Sequence, residues 1–564
     1  MSERMSLHRK SITVAGAAGY VGLITALELA RLGRTVWCVD IAADKIEKLK
    51  RGEPPFVESG LPELLQKMID AERLRFATSY EDAIPDSGFV FIALPTPSPA
   101  TSDAAYDMTA INRCLEDMVR CGLGREHAIV MKSTVPCGTG SEVTEMLRAW
   151  GVKVPYISCP EFLREGTALS DADEPDRIVI GDSGQPEGAI LAEIFDGLGE
   201  NGEDVAEGIK YKTLRRTRVQ SAELVKLASN GWLATQIGVI NEVANLSDSV
   251  RADVVEVAGL MERPEIPRDF LKAGIGFAGP CFPKDVHGLR GVAIDAGVPF
   301  QLLDTVLEAN RQQPLRAVDK ARRALGTLDG KTVAVLGASF KGGTSDTRDS
   351  MAVTLIVELV RAGAEAVVFD PEAKEFEAKE RKRLPDRGWR FAADVDDCLR
   401  AAELAIVATD WPDFKEIAWG THSTRMRHVV DGRNWLNAQA VTDAGVDYDG
   451  IGRRVLGREA STRLRGSDLD EFANLAALAL LAIKDCFMAE MAAISERVGA
   501  DWAEVAEGIA LDRRIGRERL LEWNFEQDEL DAALEAFLAR AAKGRCRCEV
   551  AARALETRAS LRTR

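Results

Sequence analysis

A chain of 564 residues is too long for one hydrophobic core and predicts about three or four domains. Its 46% hydrophobic and 29% charged residues are those of an ordinary soluble globular protein, and a net charge of −17 gives nucleic-acid binding no electrostatic support. No apolar run reaches the roughly 18 residues of a membrane span, and the polar start, Met1 to Lys10, lacks a signal-peptide core. A cytoplasmic protein without membrane or nucleic-acid partners is therefore expected. The ten cysteines follow no spacing framework, as reduced thiols do not. The pair Cys546 and Cys548 has no second pair or histidine cluster beside it, so no metal is expected.

In chain order, Ser11 to Ala15 reads as a strand, followed by Gly16-Ala-Ala-Gly19-Tyr-Val-Gly22 and an amphipathic helix to Leu32. A second strand, Thr35 to Val39, ends in Asp40, 18 residues past Gly22. Glycines permit a tight turn, the helix N-terminus faces a pyrophosphate, and the acid suits a ribose 2′-OH. Ile41, Ala42 and Ala43 bring no arginine for a 2′-phosphate, which favours NAD over NADP. The Gly-x-x-Gly-x-x-Gly spacing also opens epimerase-type sugar-nucleotide enzymes. These need a downstream Tyr-x-x-x-Lys pair, absent here from any convincing helix.

Further strands, Phe89 to Leu94 and Ala128 to Lys132, each run into a turn: Pro95-Thr96-Pro97 and Ser133-Thr134-Val135-Pro136. Ligands of open parallel sheets sit beyond such strand ends. Two more blocks follow, Ser158-Cys-Pro-Glu161-Phe-Leu-Arg-Glu165-Gly-Thr-Ala and Pro175-Asp-Arg-Ile-Val-Ile-Gly181. Gln220 to Asn245 predicts a long helix with Lys226 and Asn230 on one face. By composition alone these two are a solvated lysine and a stray asparagine.

Gly274 to Asp285, Gly-Ile-Gly-Phe-Ala-Gly-Pro-Cys-Phe-Pro-Lys-Asp, sets Cys281 between a glycine-rich approach and a Pro-Lys-Asp exit. Lys284 favours a thiolate, and Asp285 is a carboxylate within reach. From Lys331 a strand–turn–helix pattern restarts: strand Thr332 to Leu336, Gly337, then strand Ala366 to Phe369 ending in Asp370. With one glycine in its turn this second doubly wound region is not a second NAD site. Ala405 to Thr409 adds a strand, and Asp431-Gly-Arg433-Asn434 ends a later one. Leu469 to Ala492 predicts a buried helix, and Val250-Arg-Ala-Asp253-Val-Val-Glu-Val-Ala258 recurs as Val498-Gly-Ala-Asp501-Trp-Ala-Glu-Val-Ala506, an offset of 248. Glu471 to Gly516 thus reads as a degenerate copy of the central helical region, with Asn474 and Leu478 in place of Lys226 and Asn230.

Together, Gly19-Tyr-Val-Gly22, Ser133-Thr-Val-Pro136, Pro160-Glu-Phe-Leu-Arg-Glu-Gly166, Cys281-Phe-Pro-Lys-Asp285 and Phe340-Lys341 with Thr347-Arg-Asp-Ser350 resemble the UDP-glucose/GDP-mannose dehydrogenase family over roughly Ser11 to Gly457. The Arg-Glu-Gly-Thr-Ala and Pro-Asp-Arg-Ile-Val-Ile-Gly blocks look like its UDP-glucose branch. The resemblance implies an α/β fold of two Rossmann-like doubly wound domains joined by a central helical domain, plus a C-terminal helical extension. The expected divisions are 1–205 (NAD-binding), 206–318 (central, with the cysteine loop), 325–458 (UDP-sugar-binding) and 466–564 (extension).

It further implies four-electron oxidation of a nucleotide sugar's C6 alcohol by NAD, through a thiohemiacetal and a thioester on Cys281. Lys226 and Asn230 would stabilise the alkoxide, while Glu161, Thr134 and Asp285 would position water and move protons. The NAD site implied comprises Gly16, Gly19, Tyr20, Val21, Gly22 and Asp40, joined by Lys45, Pro95, Thr96, Thr134, Glu165 and Arg348. Glu161, Phe162, Leu163, Lys226 and Asn230 are implied substrate contacts, together with Phe277, Gly279, Lys341 and Arg433.

The family's Arg-Ile-Gly arginine, 16 residues before the cysteine, is Glu265 here, whereas the second copy carries Arg514-Ile515-Gly516. In the family that arginine reaches into the neighbouring subunit's site. The expectation is a homodimer, or a pseudo-dimer in which the extension delivers Arg514 as a substrate contact, with Arg263 or Arg268 as alternatives. Other readings are a dehydrogenase of UDP-N-acetylhexosamine or GDP-mannose, an epimerase, and a weakly active regulatory relative. The last is motivated by Cys159, Glu265, Ala278 and Pro280.

Overall fold

The computed structural model describes residues 7, 10–97, 106–197, 214–419, 421, 425–453, 464–521 and 528–562. The expected boundaries at 205–206 and at 458 lie outside these residues. The chain forms two compact units, one of residues 1–229, 287–299 and 491–513, the other of 230–286, 300–490 and 514–564.

The first unit is built on an eight-stranded sheet of β1 (Ser11–Ala15), β2 (Val36–Val39), β3 (Leu74–Ala77), β4 (Ser87–Ile92), β5 (Ala128–Met131), β6 (Tyr156–Ser158), β7 (Ile178–Gly181) and β8 (Leu214–Thr217). Their order is β3-β2-β1-β4-β5-β6-β7-β8, with β1 parallel to both β2 and β4 and only β6–β7 antiparallel. The order reverses between β1 and β4, which opens a crevice at the strands' carboxyl ends. Side chains alternate between the faces. Ile12, Val14, Phe89, Phe91 and Val130 join one core, and Ala15, Val90, Ile92, Ile129 and Met131 another. Burial on both faces is why these strands read as unbroken apolar runs. The strand expected at Phe89 to Leu94 lies at Ser87–Ile92, and the Ala93 N–H donates the last bond to the Ala15 carbonyl at 3.0 Å.

The second unit carries a six-stranded parallel sheet, β9 (Thr332–Leu336), β10 (Glu365–Phe369), β11 (Trp389–Phe391), β12 (Leu404–Val407), β13 (His428–Asp431) and β14 (Asp447–Gly450), in the order β11-β10-β9-β12-β13-β14. Its β9 turn spends the acid of the following strand on itself. One Asp370 oxygen accepts from the Ala338 and Ser339 backbones, the Ser339 hydroxyl and the Trp411 indole. No lone pair of that oxygen remains for a ribose, in keeping with one glycine in the turn.

Two helices, Val219–Val250 and Ser467–Val498, are each 32 residues long, and the second begins and ends 248 residues after the first. The helices that follow, Val254–Met261 and Trp502–Ala510, are capped alike by the side chains of Asp253 and Asp501. Ser467–Val498 corrects the reading that no run is apolar enough for a membrane. By length and composition it qualifies, with 78% of its most apolar window buried in the fold. Lys484 and Asp485 interrupt the run, so counting unbroken apolar residues misses it.

Within the first unit the extension packs on the start of Val219–Val250. The Asp501 N–H donates to Ser221 Oγ at 3.0 Å, and the Glu504 carboxylate accepts from the Thr217 hydroxyl and the Arg218 N–H. A Cβ on Gly508 would stand 2.6 Å from Val225 Cγ2, so only glycine allows this approach. Within the second unit the Trp232 and Phe487 rings lie 5.5 Å apart, and buried Glu242 accepts from the Val550 and Ala551 N–H groups at 2.7 and 3.2 Å. These groups open the helix Glu549–Arg562, so Glu242 caps it from another element.

Candidate active site

In the first unit, β1 ends at a turn that a side chain would fill. Gly16 has φ +80, and a Cβ on Gly22 would stand 2.1 Å from the Gly16 carbonyl oxygen. Glycine at both positions lets the turn close against the start of helix Tyr20–Arg31, and a helix N-terminus favours an anion. Asp40 is held beside it: Oδ2 accepts from Ala18 N–H at 3.1 Å and Oδ1 from Ala42 N–H at 2.9 Å. Each oxygen keeps lone pairs for a hydroxyl. The turn and this carboxylate fit the pyrophosphate and ribose of NAD.

Thr96 and Thr134 meet across two strand ends, where the Thr96 hydroxyl donates to the Thr134 carbonyl at 2.7 Å. Pro95 and Lys45 are exposed. Tyr20 donates to Glu58 at 2.6 Å and accepts from Gly166 N–H at 3.1 Å, and Glu58 also accepts from the Gly166 and Ala168 N–H groups at 2.8 Å each. Burial and the Glu58 charge hold the Tyr20 phenol well above its ordinary range. Tyr20 thus ties the turn to the loop containing Glu165. Glu58, which the sequence reading missed, stands in a loop without a motif.

Glu161 and Lys226 are both buried and pair at 2.9 Å, while the other Glu161 oxygen accepts from Leu163 N–H at 2.6 Å. The Lys226 ammonium lies 5.5 Å from the Phe162 ring centre. One turn earlier on the same helix, Glu223 accepts from the N–H groups of Gly138 and Gly140 and from Tyr156, and burial pushes its carboxyl up to about 7.

In the second unit, Asn230 donates to Asp285 Oδ2 and Lys284 to Oδ1, each at 2.6 Å, and Asp285 is buried. Exposed Cys281 immediately precedes helix Phe282–Asp295, and its carbonyl accepts from Asp285 N–H at 2.8 Å to close the first turn. The helix dipole favours negative charge at such a position. Three amides that sequence reading did not find hold the approach. Asn241 accepts from Gly274 N–H, Gln313 donates to the Gly274 carbonyl, and Asn310 both accepts from and donates to Phe277. Only the fold brings them to the loop, so no local signal marks them.

The other expected substrate and NAD contacts in this unit, and Arg514, each have neighbours within the fold. Phe277 is buried edge-on to Phe282, Gly279 packs under the Phe340 ring, and the Lys341 ammonium lies 5.8 Å from that ring's centre. The Arg433 guanidinium donates to the carbonyls of Ala408, Gly276 and Phe340, where burial lowers its pKa. Arg348 pairs with Asp346. Arg514 stacks 5.5 Å from the centre of Phe270, which is edge-on to Phe282 at 6.1 Å.

Three domain descriptions match the chain. The NAD binding domain of the UDP-glucose/GDP-mannose dehydrogenase family matches residues 10–198, its central domain residues 220–312 and 470–527, and its UDP binding domain residues 334–438. UDP-glucose 6-dehydrogenase YwqF of Bacillus subtilis is 34% identical over 452 residues, 79% of this chain and 98% of that protein. A UDP-glucose dehydrogenase structure from Pyrobaculum islandicum superposes with a TM-score of 0.70 at 35% identity, covering 79% of this chain and 98% of its own. A UDP-D-ManNAc dehydrogenase structure from Pyrococcus horikoshii gives 0.66 at 25% identity, covering 78% and 99%.

Proposed function

The chain belongs to the UDP-glucose/GDP-mannose dehydrogenase family of NAD-dependent oxidoreductases, and from that premise we propose that it oxidises the C6 alcohol of UDP-glucose to the carboxylate, giving UDP-glucuronate. The observation that carries this reading is Cys281 at a helix N-terminus, beside the Lys284–Asp285–Asn230 network. Gly16, Gly19, Gly22 and Asp40 would hold NAD, which supplies a hydride acceptor for each of two oxidations.

Lys226 and Asn230, one helical turn apart, stabilise the alkoxide as the C6 hydroxyl loses its proton. After the first hydride leaves, the Cys281 thiolate forms a C–S bond to the aldehyde carbon and the carbonyl electron pair moves to oxygen. Loss of a second hydride from that thiohemiacetal gives a thioester. Water then adds, the C–S bond breaks, and the thiolate and the carboxylate product are released. Glu161, Thr134 and Asp285 are assigned to water positioning and proton transfer. A cytoplasmic setting suits ten free thiols.

We assign the extension, 466–564, as a degenerate repeat of the central domain and an internal partner to it, with 1–205, 206–318 and 325–458 as the other divisions. The equal helix lengths, the constant offset and the matching Asp253 and Asp501 caps support this. In this reading Arg514 takes the substrate role for which Glu265 is unsuited.

The deciding experiment follows NADH release from UDP-glucose, a UDP-N-acetylhexosamine and GDP-mannose. Two NADH per UDP-glucose, with little from the others, supports the reading. Turnover confined to a UDP-N-acetylhexosamine would replace it with the activity named for the Pyrococcus relative. No NADH from any of the three would favour the weakly active relative that Ala278, Pro280 and Glu265 suggest.

A further inference from the structure

Two residues past its helix Trp502–Ala510, the extension buries a charge. Asp512 Oδ2 lies 3.1 Å from Arg177 Nη1, and the two side chains are 0% and 1% exposed. Arg177 belongs to the Pro175–Gly181 block, yet none of the proposed chemistry uses it. Its guanidinium stacks 3.7 Å from the centre of the Phe162 ring, and its Nη2 donates to Ser229 Oγ at 3.2 Å. The same ring carries the Lys226 ammonium 5.5 Å from its centre, and Lys226 pairs with Glu161, the residue before Phe162. Two cations therefore share one aromatic ring, each with its own carboxylate: Glu161 for Lys226 and Asp512 for Arg177.

We infer that Asp512, supplied by the extension, is a positioning residue for Lys226 that acts through Arg177 and Phe162. The inference rests on the assignment of Lys226 to catalysis. A buried guanidinium needs a carboxylate to compensate its lost hydration. Asp512→Asn removes the carboxylate 3.1 Å from the Arg177 guanidinium, which stacks on Phe162. Arg177 then turns toward Glu161 or withdraws from the ring, and in either case the Lys226–Glu161 pair loses its fixed geometry. Asp512 is held in place by the preceding helix, whose Asp501, Glu504 and Gly508 contact the Thr217–Val225 segment. Asp512 thereby reaches the proposed chemistry without touching substrate.

The test compares Asp512→Asn in the otherwise native chain and in a Lys226→Ala background. The expected result is a roughly tenfold fall in kcat, with KM for UDP-glucose and NAD within about twofold, and partial recovery in Asp512→Glu. In the Lys226→Ala background, Asp512→Asn adds nothing further. The double variant Arg177→Met with Asp512→Asn removes both charges and leaves none buried unpaired. It supplies a folded protein if the single variant fails to fold, and it also loses about tenfold in kcat. A kcat within twofold of native in the folded variants, or the same fall with and without Lys226, overturns the inference. Full turnover by Lys226→Ala alone would instead overturn the catalytic assignment on which it rests.

Discussion

Asn230 donates a 2.6 Å hydrogen bond to Asp285, whose other oxygen accepts from Lys284 at the same distance. The carboxylate is buried, so it fixes the amide beside which the sugar's oxygen is proposed to react and a cation three residues after Cys281. Asp285→Asn should lower kcat roughly 10²-fold, equivalent to about 2.7 kcal/mol of transition-state stabilisation, with little change in KM. Steady-state kinetics check this, and a variant impaired only in KM would count against the positioning role.

Cys281→Ser should abolish net formation of the carboxylate, because a serine hydroxyl is far less nucleophilic than a thiolate at neutral pH. NADH yield and product mass on one sample provide the readout. UDP-glucuronate formed at the native rate would rule out the covalent route.

Asp40→Asn keeps the size of the side chain but removes the charge that excludes a 2′-phosphate. KM for NAD should rise about tenfold, or about 1.4 kcal/mol, while preference over NADP shrinks. Unchanged discrimination between the two cofactors would exclude Asp40 from the ribose site.

Gly508→Ala places a methyl group where Val225 already stands. Overpacking of this kind costs roughly 1–3 kcal/mol. The melting temperature should fall, and proteolysis between Ala510 and Leu521 should accelerate. An extension as protease-resistant as in the native chain would argue that the close approach is not needed to seat it.

Burial lifts Glu242 from its ordinary 4.5 to about 8 and Glu223 to about 7. Between those limits the folded chain keeps protons that the unfolded chain has released, so stability declines as pH rises from about 5 to 8 and then levels. Lys484, lowered by burial to about 8, works in the opposite direction only above that pH. Glu242→Gln keeps an acceptor for Val550 and Ala551 and should remove roughly 1.4 kcal/mol per pH unit of that decline. Denaturant titrations at pH 5.5, 6.5 and 7.5 measure it, and an unaltered slope would refute the assignment.

The glycine turn, Asp40, the cysteine loop and both long helices were legible in sequence because each is a local pattern: a turn, a strand end or a helical period. The repeat was legible because Asp253 and Asp501 cap the same helix start, and the cap constrains its neighbours. What sequence did not show are partners chosen by the fold. Asn241, Asn310 and Gln313 converge on a loop at least 33 residues away. Arg433 donates to three backbone carbonyls, since a side chain at a strand end bonds whatever backbone the tertiary fold brings to it. Asp512 and Arg177 are 335 positions apart and mean nothing to each other until the extension is seated.

The close seat of Gly508 on Val225 has a consequence for how this protein behaves in dilute solution. A subunit interface comes apart when its concentration falls below its dissociation constant, whereas a partner on the same polypeptide is present at an effective concentration set by its tether. Activity per molecule should therefore hold steady through serial dilution. A symmetric dimer must accept every substitution on both sides of its interface. In the proposed pairing one copy carries Asn474 and Leu478 at the positions where the other has Lys226 and Asn230, the residues assigned to the chemistry.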